Sequence, residues 1–377
     1  MKNLLLLGAS GSIGSQTLDV VKNHQELFNI YGLSVGLNIE VLPKIIRDFQ
    51  PKHICVGEYS DYQQFLAKYP DIIWHYGDVG LIEMVALLEY DLLVNALLGF
   101  VGVKPTLEAI KRGKNVALAN KESMVTAGRL INRFKEENNC EIYPIDSEHS
   151  AIWQCLNNND DQIKRIILTA SGGSFRDYGR DDLVKVKVQD ALKHPTWTMG
   201  QKITIDSATM INKCFEIIEA LILFNLRFEQ ISVILHPQSI VHSLVEFNDG
   251  ALLAQLGHAD MRIPIQYALS YPTRLSLDLP LFELSDLKFS KIDYNRYPLL
   301  NLAKTVDERG DYMGCIINAA DEVAVKGFLH EKISFLKIEE IIFETVEYFK
   351  EAKIETYEEL ENLDKEVRLY SQTWIGD

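Results

Sequence analysis

Residues 4–14 read LLLLGASGSIG: four leucines, then Gly8, Gly11 and Gly14, followed by Thr17, Leu18, Val20 and Val21 at helical spacing. An apolar strand that runs into close-set glycines and then into a helix aims free backbone N–H groups and a helix N-terminus at a phosphate, as dinucleotide-binding folds do. The spacing is GxxGxxG rather than GxGxxG, and a tight connection without a ligand reads the same way. Context favours the first reading. Downstream, short apolar strands alternate with helical segments: Ile30–Val35, a helix near Leu42–Phe49, then strands at His53–Val56, Leu92–Asn95, Asn115–Ala119 and Glu141–Pro144. This alternation predicts βαβ units and a parallel sheet, an N-terminal Rossmann-like domain over residues 1–146. The second strand ends on Gly36-Leu37-Asn38. Neither the acidic residue that reads a ribose hydroxyl nor the basic one that reads its phosphate stands there.

From 147 to 275 the strands at Ile163–Ala170, Ile231–Leu235, Ser243–Phe247 and Ala251–Leu256 surround one long helix. An α+β domain with a mostly antiparallel sheet is expected, to carry the catalytic site. Prolines mark a connection at 276–298, and helical periodicity over 299–377 predicts a small helical third domain. The whole is an α/β chain of 377 residues.

Its 38 basic and 53 acidic side chains leave a formal charge of -15, which repels nucleic acids and anionic membranes. The five cysteines are widely spaced with no CxxC pair, which suits reduced thiols and a cytoplasmic location. Leu4–Leu7 is too short for a signal-peptide core, and no apolar run reaches the roughly 18 residues that span a bilayer.

Asp146-Ser147-Glu148-His149 follows an apolar strand, at the strand end where ligand sites of open α/β sheets gather. Read as extended chain, Asp146 and Glu148 point the same way and can share a cation; read as a helix cap, they are ordinary. The helix expected over Asp206–Ala220 places Asn212, Lys213, Glu216 and Glu219 in a narrow polar stripe with apolar residues around the rest. That stripe faces either an internal polar cavity or solvent. Thr169-Ala170-Ser171-Gly172-Gly173-Ser174 ends a strand with the small residues that contact phosphate oxygens, and His194-Pro195-Thr196-Trp197-Thr198-Met199-Gly200 reads as a loop able to cover a ligand or to anchor itself through Trp197.

These segments, with Asn120-Lys121-Glu122-Ser123, HPQSIVHS at 236–243, Ala254–Arg262 and Asn318-Ala319-Ala320-Asp321-Glu322, resemble in kind and order the 1-deoxy-D-xylulose 5-phosphate reductoisomerase family. The resemblance implies NADPH, held by Ser10, Gly11, Ser12, Ile13, Gly36, Asn38, Asn120, Lys121, Glu122, Gly200 and Met261. It implies Asp146, Glu148 and Glu216 as ligands of Mg²⁺, Mn²⁺ or Co²⁺. A small phosphorylated sugar would meet Lys121, Ser147, Glu148, Ser171, His194, Trp197, Ser207, Asn212, Lys213, Glu216 and Glu219, with Lys121, Glu148, His194 and Lys213 as the catalytic set. The implied reaction is a metal-assisted rearrangement of the sugar skeleton followed by hydride transfer, giving 2-C-methyl-D-erythritol 4-phosphate for isoprenoid biosynthesis, in a homodimer. Leu37, Ser174, Ala259 and Cys214 depart from the family's pattern without removing a functional group. Two other readings remain at this point. A semialdehyde-type dehydrogenase would need a cysteine thiolate, and a nucleotide-sensing regulator would use the carboxylates only structurally.

Overall fold

The computed structural model describes residues 1–157, 162–197, 199–284, 286–310, 312–352 and 354–376. The chain forms two compact units, each assembled from separated segments.

The first unit comprises Met1–Asn120, Ile131–Ser147 and Asp260–Pro280. Its core is a seven-stranded sheet of β1 (Lys2–Leu7), β2 (Phe28–Val35), β3 (His53–Val56), β4 (Ile73–Tyr76), β5 (Leu92–Asn95), β6 (Asn115–Leu118) and β7 (Ile142–Pro144). The spatial order is β4-β3-β2-β1-β5-β6-β7 and every pairing is parallel. Leu4 to Leu7 of β1 are fully buried, as expected for a strand covered on both faces. The chain winds outward from β1 through β4 and resumes on the other side at β5. The order therefore reverses at the C-terminal ends of β1 and β5, where ligands of such sheets bind. Strand β4, whose end residues Ile73 and Tyr76 are exposed, has no counterpart in the sequence reading.

Asp260–Pro280, expected in the central domain up to residue 275 and in the connection after it, is part of this first unit. Its helix Arg262–Ser270 buries Ile265, Ala268 and Leu269 in the same core as β1 and β2. Polar ties add to this: Lys2 Nζ donates to the Leu269 carbonyl at 2.7 Å, and Arg262 pairs with Asp19 at 3.1 Å.

The second unit comprises Lys121–Leu130, Glu148–Ala259 and Leu281–Asp377. It holds a five-stranded sheet of β8 (Ile163–Ala170), β9 (Ile231–Leu235), β10 (Val241–Phe247), β11 (Leu252–Leu256) and β12 (Ser290–Lys291), ordered β11-β10-β8-β9-β12. Only β8 and β9 run parallel. Three helices, Tyr312–Leu329, Phe335–Tyr348 and Tyr357–Gln372, follow toward the C-terminus.

The single helix expected over Asp206–Ala220 is two, Gln201–Thr209 and Ile211–Leu223, separated by Met210 in the left-handed conformation at φ 65°. The apolar periodicity runs on across the break because both helices bury the same kind of face. Likewise Asp146 and Glu148 are not in extended chain. Ser147–Leu156 is a helix, so Asp146 precedes it and Glu148 lies in its first turn.

Candidate active site

Glycines 8 and 14 make the turn after β1 possible. A Cβ on Gly8, at φ 83°, would stand 2.5 Å from the Ala96 carbonyl oxygen, and one on Gly14 would stand 2.1 Å from the Gly8 carbonyl oxygen. The strand, the turn and the helix Ser12–Asn23 can approach this closely only without side chains at those points. Ser10, Gly11, Ser12 and Ile13 thus occupy the turn and the first helical turn, with Gly36 and Asn38 just beyond β2. Leu37 between them is 92% exposed. Met261 caps the Arg262–Ser270 helix and packs on the first unit's core. The buried Asn120 side chain is spent locally: its amide donates to the Leu97 and Gly99 carbonyls at 3.2 and 3.0 Å. All of these belong to the first unit.

In the second unit the polar stripe of the Ile211–Leu223 helix faces inward. Lys213, Glu216 and Glu219 are no more than 4% exposed. Lys213 Nζ donates to Glu148 Oε1 at 2.7 Å and to Glu216. Lys121, at the start of the Lys121–Asn138 helix, donates to Glu216 Oε1 at 3.1 Å, and the Asn212 amide reaches the same oxygen. Burial opposes the Lys213 ammonium, but the Glu148 and Glu216 carboxylates outweigh it and hold its pKa above the ordinary lysine value.

Asp146 directly precedes the helix that carries Glu148, so the chain itself sets it beside that residue. Lys213 Nζ donates to both Glu148 and Glu216, so those two carboxylates converge. With Asp146 two residues before Glu148 in the chain, three carboxylates supply the hard oxygens that Mg²⁺ or Mn²⁺ prefer. The next residue of the Glu148 helix is a histidine. His149 serves two contacts: Nε2 lies 2.8 Å from the Glu216 carbonyl oxygen and so donates, while Nδ1 lies 3.3 Å from Glu219 Oε2. His149 therefore positions the Glu216 turn, a role the sequence reading missed although the residue sits inside its DSEHS motif.

A small-residue cradle stands at the end of β8. Gly172 and Gly173 have φ of 89° and 68°, and a Cβ on Gly173 would lie 2.4 Å from the Ser207 carbonyl oxygen, so this turn packs directly on the end of the Gln201–Thr209 helix. His194 Nδ1 accepts from the backbone N–H of Trp197 at 2.9 Å and of Thr196 at 3.2 Å. Its proton is consequently on Nε2, which donates to Ser171 Oγ at 3.2 Å and leaves the serine O–H able to donate to an anion. Burial, helped by Arg176, pushes the His194 pKa down to about 4, so the ring is neutral at pH 7 and acts as a fixed N–H donor. The half-buried Trp197 ring lies 6.3 Å from that of His242. Thr198, between Trp197 and Met199, lies outside the described residues. Gly200 caps the Gln201–Thr209 helix in extended conformation.

Glu122 lies in the first turn of the Lys121–Asn138 helix. It contributes to a buried network in which Lys202 Nζ donates to Asp206 Oδ2 at 2.6 Å and to Asp321 Oδ2 at 2.7 Å, across 119 residues of chain. Nothing in the sequence pattern links those positions. The cysteines near the site make poor nucleophiles: burial pushes the Cys155 thiol up to about 11 and raises Cys214 as well. This removes the semialdehyde-dehydrogenase reading.

Family comparison covers most of the chain. Residues 4–128 match the 1-deoxy-D-xylulose 5-phosphate reductoisomerase model, 142–224 that family's C-terminal domain and 256–370 the DXP reductoisomerase C-terminal domain. Curated relatives include 1-deoxy-D-xylulose 5-phosphate reductoisomerases of Geobacillus sp. (strain WCH70), 46% identical with both chains covered completely, and of Clostridium perfringens (strain 13 / Type A), 47% identical over 98% of each. Among solved structures, a DOX-P reductoisomerase in complex with NADPH, fosmidomycin and magnesium is 38% identical with a TM-score of 0.93, covering 100% of this chain and 98% of that one. The Zymomonas mobilis enzyme in complex with NADPH is 36% identical with a TM-score of 0.92, covering 100% and 99%. With family models matching along most of its length and relatives this similar over the whole of it, this chain belongs to the 1-deoxy-D-xylulose 5-phosphate reductoisomerase family.

Proposed function

We propose that the chain converts 1-deoxy-D-xylulose 5-phosphate to 2-C-methyl-D-erythritol 4-phosphate with NADPH and a divalent cation. The observation that carries this is the convergence of the Glu148 and Glu216 carboxylates on Lys213, with Lys121 and Asn212 also on Glu216, in a chain similar to a solved enzyme that binds NADPH and magnesium. Asp146, Glu148 and Glu216 would hold Mg²⁺, Mn²⁺ or Co²⁺, which when bound supplies Lewis-acid stabilisation of the negative charge that builds up as the sugar rearranges.

The chain's own residues do the rest. Lys121 and Lys213 keep positive charge beside the carboxylates and the sugar oxygens. Ser171, Ser207 and Asn212 face the sugar's phosphate, with the neutral His194 N–H fixing the Ser171 hydroxyl. The glycine turn of the first unit holds the dinucleotide, whose hydride reduces the rearranged aldehyde. The test is NADPH oxidation by the purified protein with 1-deoxy-D-xylulose 5-phosphate, with and without Mg²⁺ or Mn²⁺. Turnover should need both sugar phosphate and cation, and full activity in excess chelator would contradict the assignment.

Trp197 serves as a cover over bound substrate in this reading, since a closed site keeps water from the aldehyde. Trp197→Ala should lose much of its kcat/KM while its melting temperature without ligand stays near the parent's. Loss of a buried anchor would instead cost roughly 3–5 kcal/mol, so a large thermal deficit with normal turnover would show that Trp197 is structural.

The assembly is a homodimer in this reading. Strand β11 is a sheet edge on which Leu252, Leu253 and Leu256 are 51, 49 and 37% exposed, a surface that a second copy would cover. Leu253→Lys should shift the protein from dimer to monomer in sedimentation velocity; an unchanged coefficient places the contact elsewhere. The cytoplasm is the proposed location, in keeping with five free cysteines, and cell fractionation would test it. Among the described residues no helix is long and apolar enough to cross a membrane.

A further inference from the structure

A cavity of about 410 Å³ in the second unit is lined in part by Arg176, which packs against Gly172, and shares no residue with the substrate set described above. Its lining includes Arg176, Arg180, Lys291 and Arg296, opposed by the one carboxylate of Asp293. In a chain of formal charge -15 this concentration of cations is out of keeping with the rest of the surface. Part of the charge is already committed. Arg180 pairs with Glu339 at 2.6 Å, and Arg296 donates to the Tyr178 and Phe175 carbonyls at 2.8 and 3.0 Å. Arg296 makes no ion pair among the described residues, and the Glu339 and Asp293 carboxylates offset its charge only from a distance. Arg176 has only a 3.5 Å contact with Asp177, and Lys291 has no ion pair among the described residues.

A second observation points the same way. Tyr297, 3% exposed, also lines this cavity, and its hydroxyl has no hydrogen-bond partner among the described residues. A buried phenol seldom goes unsatisfied, because losing water's hydrogen bond without replacement costs about 1–3 kcal/mol. A ligand oxygen would satisfy it.

We propose that this cavity binds a phosphorylated small molecule, its phosphate or diphosphate oxygens taken by Arg176, Lys291 and Arg296 and by the Tyr297 hydroxyl. Guanidinium groups match phosphate geometry through paired N–H donors, and the volume leaves room for a modest organic portion. Such an anion would be felt at the candidate substrate site. Arg176 packs against Gly172, where an added Cβ would stand 2.6 Å from its own, and its charge helps depress the His194 pKa. An anion in the cavity would offset that charge.

Inorganic pyrophosphate is the probe, titrated calorimetrically into the full-length, metal-free protein at low ionic strength, where such contacts are least screened. The wild type should bind about one equivalent per chain. Tyr297→Phe, which removes only the unpartnered hydroxyl, and Lys291→Glu should each weaken binding about tenfold or more, the size of a lost hydrogen bond to a charged group. A Ser171→Ala/Ser207→Ala double variant, altered only in the substrate cradle, should bind as the wild type does. Absence of binding at millimolar pyrophosphate, full affinity in both cavity variants, or loss of binding in the cradle variant alone would each overturn the proposal.

Discussion

Glu216→Gln should abolish turnover at every magnesium concentration while leaving the protein folded. The Glu216 carboxylate collects Lys121, Asn212 and Lys213 and is one of the three proposed ligands of the cation. The amide keeps the shape but removes the charge, and turns an NH₂ toward either the ammonium groups or the ion. Losing a ligand that helps stabilise transition-state charge should lower kcat/KM by about three decades or more, or ~4 kcal/mol. Steady-state kinetics across a magnesium titration, with circular dichroism to confirm folding, would check it. Activity within tenfold of the parent would mean that Glu216 does not hold the ion. Some thermal destabilisation is expected as well, because two buried ammonium groups lose their shared partner.

The second large effect is structural. Lys202→Met should cost about 3–5 kcal/mol of stability, since it strands Asp206 and Asp321 without the cation that both share. Burial, reinforced by mutual repulsion of the two aspartates, already raises the Asp206 pKa despite Lys202; burial likewise raises that of Asp321. A carboxyl whose folded pKa lies above its unfolded one favours folding at pH values below the unfolded pKa, and that contribution is lost as pH rises through the folded value. Without Lys202 the folded pKa values rise further. The variant's deficit should therefore widen from pH 5.5 to pH 8. Urea unfolding at both pH values would measure it, and equal midpoints for variant and parent at pH 8 would show that the ion triad contributes nothing. The Lys202 ammonium also lies 5.3 Å from the Phe215 ring centre, next to Glu216 in the chain, so part of the loss should appear in activity.

The sequence disclosed most where the constraint is local. Gly8 and Gly14 are dictated by backbone approach within one strand, turn and helix, so a window of eleven residues around them suffices. The carboxylate motif was visible, but its conformation was not, because Asp146-Ser147-Glu148 suits both a strand end and a helix start. The break at Met210 left no trace, since methionine carries no turn preference and apolar residues continue on both sides. Strand β4 was missed because it is short and half exposed, with no alternation to find. Contacts such as Lys202 with Asp321 arise only when distant segments meet, as do the cations around the 410 Å³ cavity, and no periodicity encodes them.

Met210 has an electrostatic consequence. A single unbroken helix would bury its peptide dipoles end to end through this region, presenting neither terminus there. The left-handed residue, at a cost of roughly 1–2 kcal/mol, divides it and so creates a new N-terminus at Ile211. Each such end carries about half a positive charge, concentrated in its first turn. Asn212 and Lys213 occupy that turn, and Ser207 stands just before the break. The place assigned to the substrate's phosphate thus gains a fixed positive field from the backbone, one that requires no basic side chain and does not change with pH.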